Sequence, residues 1–281
     1  MNWITDSKIP TGPWAKSFFD WLTTNGEWFF RQLSALLSAV INALLFVLQK
    51  PDPLIVILAI TLIAWWLRRS IIVAAFTCLG LLLIMNQGYW KETTQTLALV
   101  LAATFVNMVL GIPLGIAAAR RPWVYAIMRP ILDLMQTIPT FVYLIPALIL
   151  FGLGMVPGLI ATIIFAIPAP IRLTRLGIIS TPPSLVEAAV AFGATPMQVL
   201  RKVELPFAMP QIMAGLTQSI MLSLSMVVIA ALVGAPGLGV PVVRALNTVN
   251  IAQGFESGFC IVILAIILDR MLRKSGEGDG A

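Results

Sequence analysis

Side chains able to do chemistry are few in this sequence. The richest run of them is residues 184–206, SLVEAAVAFGATPMQVLRKVELP. Ser184 and Glu187 have capping-box spacing, which satisfies free N–H groups at a helix start. Gly193 follows at the position where a helix ends in a left-handed turn. Thr195 and Gln198 repeat the capping box, with Pro196 in the first helical turn, where its missing N–H does no harm. The pattern predicts two short helices joined by a turn, the second ended by Leu205-Pro206. A first helix of that length does not persist alone, so the unit must dock. It could dock on the ends of its neighbouring segments or in the groove of a partner, and the caps fit both.

Catalysis has little else to draw on. Histidine is absent, which excludes Cys/His metal sites and Ser-His pairs. Cys78 and Cys260 lie in apolar segments and read as small buried hydrophobes. The pattern G-x-x-x-x-G-K-[ST] is missing, so ATP cannot be held through a P-loop. Asp133 reads as an acid near a helix start, where it complements the dipole, and Asp269 as an anchor beside Arg270. An ion-coupled carrier would be expected to place acids near the bilayer midplane, and the apolar runs lack them. A channel would leave the capped unit unexplained.

The elements that must position this unit are spanning helices. Of 281 residues, 59% are apolar and 11% charged, against roughly 25% charged in soluble domains; that is too few to cover a water-facing globule. The apolar runs are continuous, which favours helices over the alternating strands of a membrane barrel. Spans are expected at about 53–67, 70–88, 94–119, 131–153, 156–175, 208–233 and 252–270. Residues 1–27 read as a loose tail without a signal-peptide core. Residues 28–48 read as an amphipathic helix that could lie in the interface or cross, the interfacial placement being favoured, ended by Lys50-Pro51-Asp52-Pro53. The end of the chain, 275–281, reads as a disordered tail. The fold class is all-α, a polytopic helical membrane protein.

The net charge of +6 does not point to nucleic acid, because the cations cluster at the ends of apolar runs. Alternate loops hold Arg68, Arg69, Arg120, Arg121, Arg129, Arg172, Arg175, Arg201, Lys202, Arg270, Arg273 and Lys274; the others hold Lys91 and Arg244. By the positive-inside rule the twelve are cytoplasmic. Seven spans then place the amino terminus outside and the carboxyl terminus inside, with residues 184–206 in the largest cytoplasmic loop. Pro113, Pro139, Pro146, Pro157, Pro168 and Pro170 crowd the middle spans. Several kinks in neighbouring helices point to a pathway or moving parts. The small residues of GIPLGIAAA (111–119) and FGLGMVPGL (151–159) read as close-packing surfaces.

EAAVAFGATPMQVLRKVELP resembles the EAA signature of importer-type ABC permeases: Glu-Ala-Ala, three residues, Gly, nine residues, Ile, any residue, Leu-Pro. Glu187, Ala188, Ala189, Gly193, Leu205 and Pro206 match, and Val203 stands for Ile. Further stretches at 132–154, 157–178, 205–239 and 261–270 resemble the permease subunits of glycine betaine/proline betaine/choline importers. That resemblance covers about 94–274, and more loosely the two spans before it. It implies an importer-type permease core of five helices over 94–274, two accessory helices over 52–93 and an appended segment over 1–51. It implies that 184–206 is a coupling loop held by a separate ATPase, with Ala188 and Ala189 allowing close approach, Gly193 turning and Glu187 making a polar contact. ATP and Mg would be used by that partner, and no cofactor or metal by this chain. A second permease copy, a cytoplasmic ATP-binding subunit, an external binding protein and the bilayer are the implied partners, in a bacterial inner membrane. The implied cargo is a quaternary ammonium compatible solute. Aromatic faces suit such a cation, which makes Phe141, Tyr143 and Phe165 pathway candidates by position; packing is the competing role for each. Another small polar solute is the alternative cargo.

Overall fold

The computed structural model describes residues 10–272. Residues 1–9 of the expected tail, Arg273, Lys274 and the tail at 275–281 lie outside the described residues. The chain is built of helices. Helix α1 (Thr11–Gln49) is followed by α2 (Pro53–Arg68) and α3 (Ile71–Asn86), a hairpin turned at Arg69 with φ +48°. Helix α4 (Trp90–Arg120) follows, and its carboxyl end marks the side that the positive-inside rule makes the inner one. Helix α5 (Pro122–Thr137) and α6 (Thr140–Phe151) return outward, and α7 (Met155–Ala166) with α8 (Pro168–Ile179) descend again. On the inner side come α9 (Pro183–Ala191) and α10 (Pro196–Val199); then α11 (Leu205–Ala231) rises, α12 (Gly239–Thr248) covers the outer side and α13 (Ile251–Leu272) descends.

Among the described residues, five helices can cross a bilayer by length and composition, and a sixth if α5 and α6 count as one. Helices α2 and α3 have 16 residues each. At 1.5 Å per residue each is about 24 Å long, short of the ~30 Å hydrocarbon core.

Three expectations for the helix ends change. Residues 11–27 are not a loose tail: α1 begins at Thr11. Pro13 falls within its first turn, where N–H groups have no helical acceptor, so it does not delay the helix. The span expected at 131–153 is two helices bent by 100°. Pro139 has no N–H and drives Ile138 into extended backbone, with ψ 130°. The span expected at 156–175 runs on to Ile179, which places Arg172 and Arg175 inside α8 rather than after it.

The core lies where α4, α8 and α11 cross, and small residues make it possible. A Cβ on Gly111 would come 2.9 Å from Pro170, and one on Gly215 would come 3.1 Å from the Pro170 backbone. Pro170 is thus gripped from both sides. Gly115 meets Thr174 and the Ile171 carbonyl, and Gly177 meets Ala208. The expected close-packing role of the 111–119 stretch is borne out. One buried polar tie accompanies it: Asn107 Nδ2 donates to Ser219 Oγ at 3.1 Å, both fully buried. In an apolar medium such a pair holds register.

Helix α1 packs beside this core, on α4 and α7. Leu37 and Ile41 are buried against Ala102 and Ala103 of α4 and against Leu159 and Ile163 of α7. Its Gln49 side chain donates to Thr94 Oγ1 at 2.8 Å, and Phe30 meets Phe151 edge-on at 5.6 Å.

Candidate functional site

The inner elbow is the part of the chain most clearly shaped for a partner. Its first helix, α9, has no buried residue. Leu185, Val190 and Phe192 are exposed on it and Met197 on α10, with Phe192 93% open. Large apolar side chains are not left in water on a cytoplasmic face without cause. The Glu187 carboxylate is exposed and makes no hydrogen bond to any described residue; Ala188 and Ala189 follow it at the same surface.

The local structure keeps one of the two expected caps. Thr195 and Gln198 form the full capping box, Gln198 Oε1 accepting from the Thr195 N–H at 2.8 Å. Ser184 is not a cap. The helix starts two residues earlier than that cap requires, at Pro183, with Pro182 in the N-cap place and no side-chain bond. Proline is already set for a first turn, and that outcompetes a serine one position later. Gly193 has φ +78° with open space around it, so backbone conformation alone demands glycine there. Its N–H donates to the Val190 carbonyl at 2.8 Å, and the Ala194 N–H to that of Ala189 at 3.0 Å.

Leu205-Pro206 does not end the second helix either. The chain passes from α10 through a π turn, Leu200–Glu204, directly into α11, and the Leu205 N–H donates to the Leu200 carbonyl five residues back. A proline inside a helix lacks a donor and crowds the carbonyl four residues before it; the wider π turn just ahead of Pro206 relieves both. Leu205 packs below it with Ile178, Ala208 and Ile212, and Val203 is half-buried. The elbow is therefore one piece with the α11 span.

Sequence reasoning read Arg120 only as a topological charge. In the structure its Nη2 lies 2.7 Å from Glu204 Oε2 and 3.1 Å from the Pro196 carbonyl oxygen. It joins the inner end of α4 to the elbow, and no pattern of spacing could have paired residues so far apart.

A second cluster sits beside the broken span. Arg172 of α8 reaches Asp133 Oδ1 at 2.6 Å and Gln136 Oε1 at 2.9 Å, and the Arg175 guanidinium lies 3.6 Å over the Tyr125 ring. Arg129 reaches the other Asp133 oxygen at 4.0 Å. Asp133 is thus not at a helix start: it stands in the last turns of α5 and latches that half-helix to α8.

The aromatic candidates are separated in role. Phe141 is 58% exposed on α6. Tyr143 is buried, and together with Phe165 it belongs to the cluster that joins α6 to α7 and α11. The Tyr143 hydroxyl lies 2.5 Å from the Met135 carbonyl and 3.3 Å from that of Leu134. In a continuous helix the Met135 carbonyl would accept from residue 139, which is proline. The tyrosine supplies the donor the proline lacks.

Known proteins place this architecture. The chain is 47% identical over 277 residues to the glycine betaine transport system permease protein OpuAB of Bacillus subtilis (strain 168), covering 97% of this chain and 98% of that one. It is 45% identical to the glycine betaine/carnitine transport permease protein GbuB of Listeria monocytogenes, covering 94% of each. It is 44% identical to the glycine betaine/proline betaine transport system permease protein ProW of Escherichia coli (strain K12), covering 96% of this chain and 76% of that one. A solved inward-facing structure of the MetNI methionine ABC transporter superposes with a TM-score of 0.57 at 26% identity, over 63% of this chain and 89% of that one. The expected importer-type permease fold is borne out. The chain is a transport subunit, not an enzyme, and a multi-pass protein of the bacterial inner membrane. Residues 111–273, which carry both the elbow and the broken span, match the model of one family, and the chain belongs to it: the binding-protein-dependent transport system inner membrane components.

Proposed function

We propose that this chain forms, with a second copy of itself, the translocation pathway of an ATP-driven importer for quaternary ammonium compatible solutes such as glycine betaine, proline betaine or choline. The elbow would seat in a cleft of a cytoplasmic ATPase through Glu187, Ala188, Ala189 and Gly193. Val203, Leu205 and Pro206 would carry its base. ATP and Mg would be held by that ATPase, and an external binding protein would deliver the solute. The observation that carries this reading is the elbow itself: a face with an almost fully open phenylalanine, mounted without slack on three spans. The relatives transporting glycine betaine at 44–47% identity support the cargo.

Closure of the ATPase pair would push the elbows together. Motion would enter α11 through the continuous helix and α8 through its covalent link, and α8 would drag the half-helix α5 by the Arg172 latch. A ligand shifts such an equilibrium only by binding one state better than the other. Phe141, on the open face of α6, is the pathway aromatic we favour, with Tyr143 and Phe165 shaping the wall that carries it.

Helix α1 would lie along the outer interface. Its contacts with Thr94 and with Phe151 are both at outer ends of spans, yet they stand roughly 28 Å apart along its axis.

The test is reconstitution of the permease with its ATPase and binding protein in liposomes. Hydrolysis should rise with betaine-loaded binding protein and betaine should accumulate. Co-purification of the ATPase with hydrolysis stimulated by a different small solute would leave the permease role standing and replace the cargo. No ATPase association would overturn the coupling role.

A further inference from the structure

We propose that Arg120 and Glu204 form the strut through which displacement of the elbow reaches α4. The proposal rests on the reading that the elbow docks an ATPase.

Connectivity poses the problem. The elbow is covalently continuous with α8 and α11, but α4 touches it only side by side. The apolar contacts available there, Ile116 and Ala119 near Leu200 and Leu205, are non-directional and allow sliding. Among the described residues, Arg120 is the one side chain from outside 183–204 that makes a polar bond to that segment. A charge-assisted bond at 2.7 Å is directional and strong.

An exposed ion pair would be a poor strut, because solvent and entropy cancel most of it. This pair is different in two respects. The Glu204 side chain is only 13% exposed. The same Arg120 nitrogen also holds the Pro196 carbonyl oxygen, so one guanidinium grips both the start of α10 and the end of the π turn. It spans the stretch where the regular helical ladder is interrupted, and it stiffens the place most able to bend.

What α4 does with that displacement follows from its packing. Its Gly111 and Gly115 lie against Pro170 and Thr174 of α8 with no room to spare. If α8 moved with the elbow while α4 lagged, these contacts would shear. With the strut in place the three helices move as one body. Arg120 and Glu204 are thus positioning residues for transport; neither is placed to touch solute or nucleotide.

The test uses the assembled complex of permease, ATPase and binding protein in liposomes, with wild type, Glu204→Gln, Arg120→Lys and the swap R120E/E204R. The quantity read is solute imported per ATP hydrolysed, alongside the amount of ATPase that co-purifies. Glu204→Gln is nearly isosteric and should lower the ratio at least about fivefold, the lower end of coupling factors between sites, with the ATPase still bound. Arg120→Lys, which keeps the charge but is shorter and lacks the planar fork, should fall between it and wild type. The swap should recover part of the ratio. An unchanged ratio in Glu204→Gln overturns the proposal. So does a fall in transport and hydrolysis in equal proportion, which marks a merely structural pair. Failure of the wild-type complex to bind the ATPase would instead refute the docking reading, and shows itself before any variant is compared.

Discussion

Replacing Tyr143 with phenylalanine separates two roles that its position allows. The substitution keeps the aromatic ring and removes one hydroxyl. If the ring face serves a passing cation, transport should survive. The structure argues for the hydroxyl. Pro139 deprives the Met135 carbonyl of its helical donor, and the Tyr143 hydroxyl stands 2.5 Å away as the replacement. Without it this part-buried carbonyl loses its partner. An acceptor left unpaired where water is excluded costs about 1–3 kcal/mol. That is roughly a 5- to 150-fold shift in any equilibrium between the bent arrangement and its alternatives. Unfolding in mixed micelles, followed by equilibrium titration with a denaturing detergent, should show Tyr143→Phe destabilised by that amount. The sharper measurement is the cycle with Pro139→Ala. Alanine restores an N–H at 139, so the Met135 carbonyl can be paired within the helix and the tyrosine hydroxyl becomes dispensable. The cost of Tyr143→Phe should therefore shrink to less than about 0.5 kcal/mol in the Pro139→Ala background, the size typical of neutral changes. An equal cost in both backgrounds would refute the clasp, because the hydroxyl would then be acting on something other than the carbonyl that proline abandons.

Gly193→Ala should cost about 1–2 kcal/mol from the left-handed backbone alone, since φ is +78° and nothing crowds the site; thermal melts of the isolated permease and co-purification of the ATPase should both decline. Gly115→Ala would drive a Cβ to 2.6 Å from Thr174 and 2.8 Å from the Ile171 carbonyl, and overpacking of that kind costs about 1–3 kcal/mol; a melt unchanged from wild type would mean that α4 and α8 are free to part. Trp14→Cys, in a background lacking Cys78 and Cys260, should react with a membrane-impermeant maleimide added outside; reaction from the inside only would show that α1 crosses the bilayer.

The helices were legible because lipid leaves few choices. A run too apolar for water must span, and arginine placement sets its direction. What stayed hidden depends on contacts made across the chain. Pro139 was visible as a kink, but its size was not, because the 100° bend exists only where Tyr143 and the Arg172 latch stabilise both halves. The Ser184 box matched in spacing and still failed, since a helix start is decided by backbone geometry and two prolines had already set it. The Thr195 box succeeded because the turn at Gly193 leaves that start free of competitors. Helix α1 was read too short because Gly12, Pro13 and two aspartates resemble a loop, although breakers in a first turn break nothing. Arg120 was read as a charge alone because its partners, Pro196 and Glu204, lie far along the chain and meet it only in the fold.

The inner arginines are the point at which topology and mechanism meet. Counted by the positive-inside rule they are interchangeable charges, and any would orient the chain as well as any other. In the fold they differ. Arg172 and Arg175 are drawn into α8 and hold the half-helix α5 by a carboxylate, an amide and an aromatic face. Arg120 holds the elbow by a carboxylate and a carbonyl. Arg121 and Arg201 remain exposed. A guanidinium suits the first three because it is planar, always charged, presents a fixed fork of donors and can lie flat on an aromatic ring. The consequence is that α5 is joined to α8, and α4 to the elbow, by polar bonds, while α4 and α8 are joined by small-residue contacts. On the proposed coupling, force applied at the elbow would meet these connections first, Pro170 among them, held between Gly111 and Gly215. The 100° break at 138–139 comes after the Arg172 latch along the chain, and there the chain would yield.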